Sequence, residues 1–138
     1  MSFDNLELDH IAIAVKNFDE SVKLYRNLGL NLEKVEKIAS QGVVAAFFNI
    51  GDEGHLELLN PLKEEGVIFD FLNKKGPGIH HICFRVNDLE VKIKELEEKG
   101  FKMVYKENVK GAGDSLINFV HPKTTGGILI ELKEEDLV

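Results

Sequence analysis

The chain has 138 residues, 43% of them hydrophobic, enough core for one globular domain and too little for two large ones. Its 17 Lys and Arg against 24 Asp and Glu give a net charge of −7, the wrong sign for nucleic acid or an anionic membrane as the main partner. A single cysteine, Cys83, excludes an intrachain disulfide; no apolar run approaches the ~20 residues of a membrane span, and Met1-Ser2-Phe3-Asp4 has neither part of a signal peptide, so a reducing, cytoplasmic setting is expected.

In chain order, residues 8–15 alternate, with Ile11, Ile13 and Val15 on one face and His10, Ala12 and Ala14 on the other, which predicts a strand. Asn17, three residues before Glu20, predicts a capping-box-like helix start. Phe18, Val22 and Tyr25 form the apolar face of that helix, and Gly29 its stop. Residues 32–39, 43–50 and 54–60 read as strands, broken near Gln41-Gly42 and Gly51-Asp52. Between Pro61 and Gly78, the residues Val67, Ile68, Phe71 and Leu72 predict a short amphipathic helix instead of a loose linker. A strand over 79–86 follows, then a helix start flanked by Asn87 and Glu90 with an apolar stripe of Leu89, Ile93 and Leu96 and a stop at Gly100. Strands near 101–106, 116–121 and 127–133 complete the chain.

The second half repeats the first. Asp9-His10-Ile11-Ala12-Ile13-Ala14-Val15 matches His80-His81-Ile82-Cys83-Phe84-Arg85-Val86 at an offset of 71 residues, and Leu28-Gly29-Leu30 matches Lys99-Gly100-Phe101 at the same offset. Near the end of each half the offset is 74, where Leu56-Glu57-Leu58 meets Ile130-Glu131-Leu132. The expected fold is therefore α+β: one domain over 1–138, built of two tandem βαβββ modules at about 8–60 and 79–133 joined by 61–78, forming a curved mixed sheet with a cleft.

The repeat pairs His10 with His81 and Glu57 with Glu131. Pseudo-two-fold packing is expected to bring the four together. His10 shares its face with Ala12 and Ala14, which are small and leave room above the sheet; His81 shares its face with Cys83 and Arg85, neither typical of a dry core. Glu57 and Glu131 interrupt apolar strands, where a carboxylate is costly unless it is paired or bound to a metal. Two imidazoles and two carboxylates suit Zn, Co, Ni, Mn or Fe(II), leaving two octahedral positions for a chelating substrate. The plainer alternative is four unrelated polar residues at strand ends. His80 points to the other face and reads as a supporting or structural residue, while His55, on the strand face of Glu57, reads as a surface or satisfied histidine, with a role at the pocket as the lesser alternative.

Several segments resemble the vicinal-oxygen-chelate (glyoxalase/bleomycin resistance/dioxygenase) superfamily and, within it, the methylmalonyl-CoA epimerases. They are Asp9 to Val15, Glu57-Leu58-Leu59-Asn60-Pro61-Leu62, Gly78-Ile79-His80-His81-Ile82, Phe119-Val120-His121-Pro122-Lys123 and Gly127-Ile128-Leu129-Ile130-Glu131-Leu132. The resemblance implies a divalent metal (Co2+ favoured, with Mn2+, Ni2+ or Zn2+ as alternatives) held by His10, Glu57, His81 and Glu131, the quartet that the repeat selects. It also implies interconversion of (2R)- and (2S)-methylmalonyl-CoA, as in propionate metabolism, by removal of the C2 proton through a metal-stabilised enolate, and a homodimer.

Inversion requires a proton acceptor on each side of the planar enolate. Glu131 is the first candidate. Some family members carry a glutamate just after Gly-Val-Val, but here Gly42-Val43-Val44 is followed by Ala45, so Glu57 or a water at the metal is left for the second role. A polyanionic CoA thioester and a net acidic protein call for a local basic patch, for which Lys106, Lys110 and Lys123 are candidates. Gly111 offers a permissive backbone beside it, and Ser115 and Asn118 offer hydrogen bonds; an ordinary surface turn with solvated lysines is the competing reading. Rival functions on the same scaffold are a lactoylglutathione lyase-type isomerase, an extradiol dioxygenase and a non-enzymatic small-molecule binder. The double histidine and His121-Pro122-Lys123 favour the epimerase.

Overall fold

The computed structural model describes residues 6–51, 54–111 and 114–135, which divide into two compact units, one within 10–80 and the other made of 6–9 with 81–135. β1 (Glu7–Ala14) enters the first unit at His10 and leads through α1 (Phe18–Asn27) to β2 (Asn31–Ile38), β3 (Val43–Asn49) and β4 (His55–Pro61), then α2 (Val67–Lys75). Its strands lie in the order β2-β3-β4-β1, the two hairpins antiparallel and β4 parallel to β1. The second unit runs β5 (Gly78–Val86), α3 (Leu89–Glu98), β6 (Val109–Lys110), β7 (Leu116–Val120) and β8 (Leu129–Glu134), ordered β5-β8-β7-β6 with β8 parallel to β5. Each unit is thus a mixed four-stranded sheet with helices on it, an α+β architecture. Among the described residues no helix is long and apolar enough to cross a membrane.

Period-2 alternation decides what each face of the first sheet buries. Ile11, Ile13 and Val15 meet Phe18, Val22 and Tyr25 of α1 over the fully buried Phe48 and Leu58. Burying a side chain of that size stabilises by roughly 1.5–3 kcal/mol, so this stripe holds the helix in place. The opposite face carries Ala12, Ala14, Val43, Ala45 and Leu59, and on it sits α2 through Ile68 and Leu72. The space expected above Ala12 and Ala14 is therefore filled by this helix. Three alanines, two on β1 and one on β3, let it lie close. In the second unit α3 packs Leu89, Ile93 and Leu96 onto Val86, Val120 and Leu132.

The duplication reaches the helix ends. Gly29 has φ +104° and Gly100 has φ +97°, a left-handed conformation that favours glycine. Around them Gly29 N–H donates to Arg26 O and Leu30 N–H to Tyr25 O, as Gly100 N–H donates to Glu97 O and Phe101 N–H to Leu96 O. The start of α1 differs from expectation: Asn17 makes no cap hydrogen bond, and its side chain reaches Glu20 instead, at 3.4 Å and exposed. The start of α3 falls between Asn87 and Glu90 as expected, capped by Asp88, whose Oδ1 accepts from Val91 N–H at 3.1 Å.

The strand expected over 101–106 is reduced to a single bridge between Met103 and Val120, flanked by hydrogen bonds from Val104 N–H to Phe119 O and from His121 N–H to Lys102 O. Asn118 explains the break. Only 1% exposed, it accepts from Tyr105 N–H and donates to Tyr105 O and Asn108 Oδ1, so a side chain takes over where a ladder would continue. The second strand of the module forms later, as β6. At the other edge of this unit Arg85 donates to Asp9 at 3.0 Å and Glu7 at 3.4 Å, and pairs with Glu135 at 3.4 Å. Partial burial works against the guanidinium charge, but the hydrogen bond and attraction of Asp9, with help from Glu7 and Glu135, outweigh it and raise its pKa above the ordinary value.

Replacing Asn118 with Ala leaves the Tyr105 backbone groups to solvent or to no partner. Urea unfolding should show a loss of about 2 kcal/mol, with faster hydrogen exchange at the Tyr105 amide.

Candidate functional site

Strand register builds the first half of the site. On the parallel pair β1–β4, His10 stands opposite His55 and Ala12 opposite Glu57, so His10, His55 and Glu57 share one face. His10 Nδ1 lies 3.0 Å from Glu57 Oε2, and His55 Nε2 lies 3.0 Å from the same oxygen. A carboxylate only accepts, so both contacts are hydrogen bonds when His10 carries its proton on Nδ1 and His55 on Nε2. The two rings stack with centroids 5.2 Å apart and planes 28° apart. Phe47, opposite Glu57 on β3, tilts against His55 at 5.8 Å and carries the Lys34 ammonium 4.9 Å from its own centroid. The His10 and Glu57 side chains are only 11% and 12% exposed.

The second half repeats the design. On β5–β8, Cys83 stands opposite Glu131 as Ala12 stands opposite Glu57. His81 Nε2 lies 3.1 Å from Glu131 Oε1, with side chains again 11% and 12% exposed. Phe119 lies opposite Glu131 on β7, and its ring meets that of His81 edge-on at 6.0 Å. Two differences stand out. His81 reaches its carboxylate through Nε2 where His10 uses Nδ1. Leu129 faces His81 where His55 faces His10.

The donor set fits a divalent cation. Ligands about 2.0–2.2 Å from one ion and at right angles to each other are about 3 Å apart, the His–Glu spacing in both halves. In the first half His10, His55 and Glu57 present ligand atoms all within 4.8 Å of one another. Mixed imidazole and carboxylate donors suit first-row transition metals and not Mg or Ca.

His55 lies beside the His10–Glu57 pair. It is satisfied, as expected, but its partner is Glu57, and its side chain is only 27% exposed. The signal available in sequence was its position two residues before Glu57 on the same strand face. His80 packs edge-on against Phe71 of α2 at 5.1 Å, a structural contact. Ala45 is fully buried among Ala12, Ala14, Leu59, Ile68 and Leu72, so a methyl group occupies the position in question.

Of the candidate substrate contacts, Lys106, Lys110 and Lys123 are exposed. The Gly111 N–H is already engaged by Ser115 O at 2.7 Å, and a Cβ there would meet Ile117 Cγ2 at 2.9 Å, so Gly111 answers to packing as well as to turn geometry. Asn118, occupied by its loop, is not available to a substrate.

A sequence model of the Glyoxalase/Bleomycin resistance protein/Dioxygenase superfamily matches residues 9–119. The mitochondrial methylmalonyl-CoA epimerase of Homo sapiens is 35% identical over 92% of this chain and 73% of its own length. The chain belongs to the methylmalonyl-CoA epimerase family of that superfamily. Among solved structures, the methylmalonyl-CoA epimerase of Mycobacterium tuberculosis superposes with a TM-score of 0.85 at 37% identity, covering 99% of this chain and 93% of that one. A methylmalonyl-CoA epimerase in complex with methylmalonyl-CoA and NH4+ gives a TM-score of 0.83 at 34% identity, covering 96% of each chain. The glyoxalase-type fold and the epimerase class of enzyme follow from this likeness over nearly the whole length.

Metal uptake tests the paired design. With metal-free protein titrated with Co2+ in a calorimeter, Glu57→Ala and Glu131→Ala should each weaken binding by about tenfold or more, and Lys110→Ala should leave it unchanged.

Proposed function

We propose that the chain interconverts (2R)- and (2S)-methylmalonyl-CoA, with one divalent metal ion held by His10, Glu57, His81 and Glu131. The observation that carries this reading is the His–Glu contact built twice, at the same strand register, in a chain whose relatives over most of its length are epimerases of that substrate. When bound, the ion supplies a Lewis acid for the thioester and carboxylate oxygens of the substrate.

The chain's own residues do the rest. The C2–H bond lies between two carbonyl groups and is weakly acidic. Glu131 takes the C2 proton on one side while the electron pair moves onto the thioester oxygen, and a proton delivered to the opposite side gives the inverted product. His81 holds the Glu131 carboxylate by one oxygen at 3.1 Å, fixing its aim. With Ala45 in place of a carboxylate, Glu57 is the acidic residue nearest in kind for the other side. Burial of both carboxylates to about one-eighth exposure keeps bulk water away from the carbanion. Exposed Lys110 and Lys123, with Ser115, meet the phosphates and pantetheine of CoA. The setting is the cytoplasm, cobalt is the favoured metal, and the working unit is a homodimer.

Incubation with methylmalonyl-CoA in deuterated water should place deuterium at C2, read by mass spectrometry. Glu131→Gln should slow that exchange by about 100-fold or more. No exchange with Co2+, Mn2+, Ni2+ or Zn2+ rules the reading out. Lys110→Ala with Lys123→Ala should raise KM several-fold with kcat nearly unchanged, since phosphate contacts bind ground and transition states alike.

A further inference from the structure

Resting on the metal reading above, we propose that His55 is a positioning residue: its Nε2–H fixes the carboxylate of Glu57 for the ion without itself joining the ion. The contact is direct, 3.0 Å from Nε2 to Oε2, and it falls on the oxygen that also meets His10. The His55 ring is not free to turn. It stacks on His10 at 5.2 Å and leans on Phe47 at 5.8 Å, so two neighbouring strands set its plane.

The duplication shows that the fold does not require this histidine. The position facing His81, equivalent to that of His55, is Leu129, which offers Glu131 no donor. A half-exposed aliphatic side chain is therefore accommodated by the same strand pair, and a polar ring at 27% exposure adds little to the core. Four ligands leave an octahedral ion two positions for a chelating substrate, and a fifth would close one of them. Donors behind a metal ligand restrict its rotation and typically change metal affinity by 10–100-fold when lost. Glu57 is thus met at Oε2 by two imidazoles, one of them the His55 ring that has no counterpart in the second half.

The test uses Co2+ alone with metal-free full-length protein, His55→Leu and His55→Gln. Calorimetry gives affinity, the visible absorption of the saturated protein reports the ligand set, and melting of the metal-free forms checks folding. His55→Leu, the residue of the second half, should bind Co2+ about 10–100-fold more weakly. His55→Gln, which keeps an N–H donor, should recover most of that loss, and all three saturated spectra should coincide. Unchanged affinity in His55→Leu overturns the proposal, as does a failure of Gln to rescue. A changed spectrum on saturation overturns it too, by making His55 a ligand. If the unsubstituted protein takes up no cobalt, the metal reading itself falls, a result distinct from these three.

Discussion

A carboxylate in the middle of an apolar strand is the constraint on which this molecule turns. Glu57 lies between Leu56 and Leu58, and Glu131 between Ile130 and Leu132, with flanking residues packed into helix-covered cores. Leaving such a group buried and ionised costs several kcal/mol unless hydrogen bonds or a cation offset it. Both halves meet the cost in the same way, with an imidazole about 3 Å away on the neighbouring parallel strand. The register that places Ala12 beside Glu57 and Cys83 beside Glu131 makes the contact possible, because a one-residue slip would send each carboxylate to the opposite face. Helices, glycine stops and hairpins serve to hold that register.

The two halves are duplicates with different fillings. Each has a parallel pair that carries histidine and glutamate, an aromatic residue opposite the glutamate, and a left-handed glycine after its helix. The first half adds α2 over Ala12, Ala14 and Ala45, and His55 behind Glu57. The second adds the loop that Asn118 pins and a run of exposed lysines. A symmetric pair of His–Glu contacts with asymmetric surroundings suits the proposed reaction, which must act differently on the two sides of one planar carbanion.

Most of this was legible in the sequence because duplication doubles weak signals. One histidine on one strand says little, but His10 and His81 at the same parity of equivalent strands, matched by Glu57 and Glu131, single out two equivalent His–Glu contacts that the structure shows. Strand and helix placement followed from period 2 and period 3.6, and the helix over Val67–Lys75 from its four apolar residues. The errors have local causes. Residues 101–106 have strand composition, yet the ladder is interrupted by an asparagine more than ten residues away in sequence, a competition that no window over 101–106 contains. The cover over Ala12 and Ala14 was hidden because small residues leave room for a ligand and for a helix alike. His55 breaks the repeat, so the signal that exposed its neighbours says nothing of it, and only the register shows its contact with Glu57.

The central claim is a single ion shared by two equivalent His–Glu pairs, with His55 standing behind one of them. Anomalous diffraction at the cobalt edge from metal-loaded crystals tests it most directly. One peak per chain is predicted, within about 2.0–2.2 Å of His10, Glu57, His81 and Glu131. Separate peaks at the two pairs, or one peak bound by His10, His55 and Glu57 without His81 and Glu131, would contradict it.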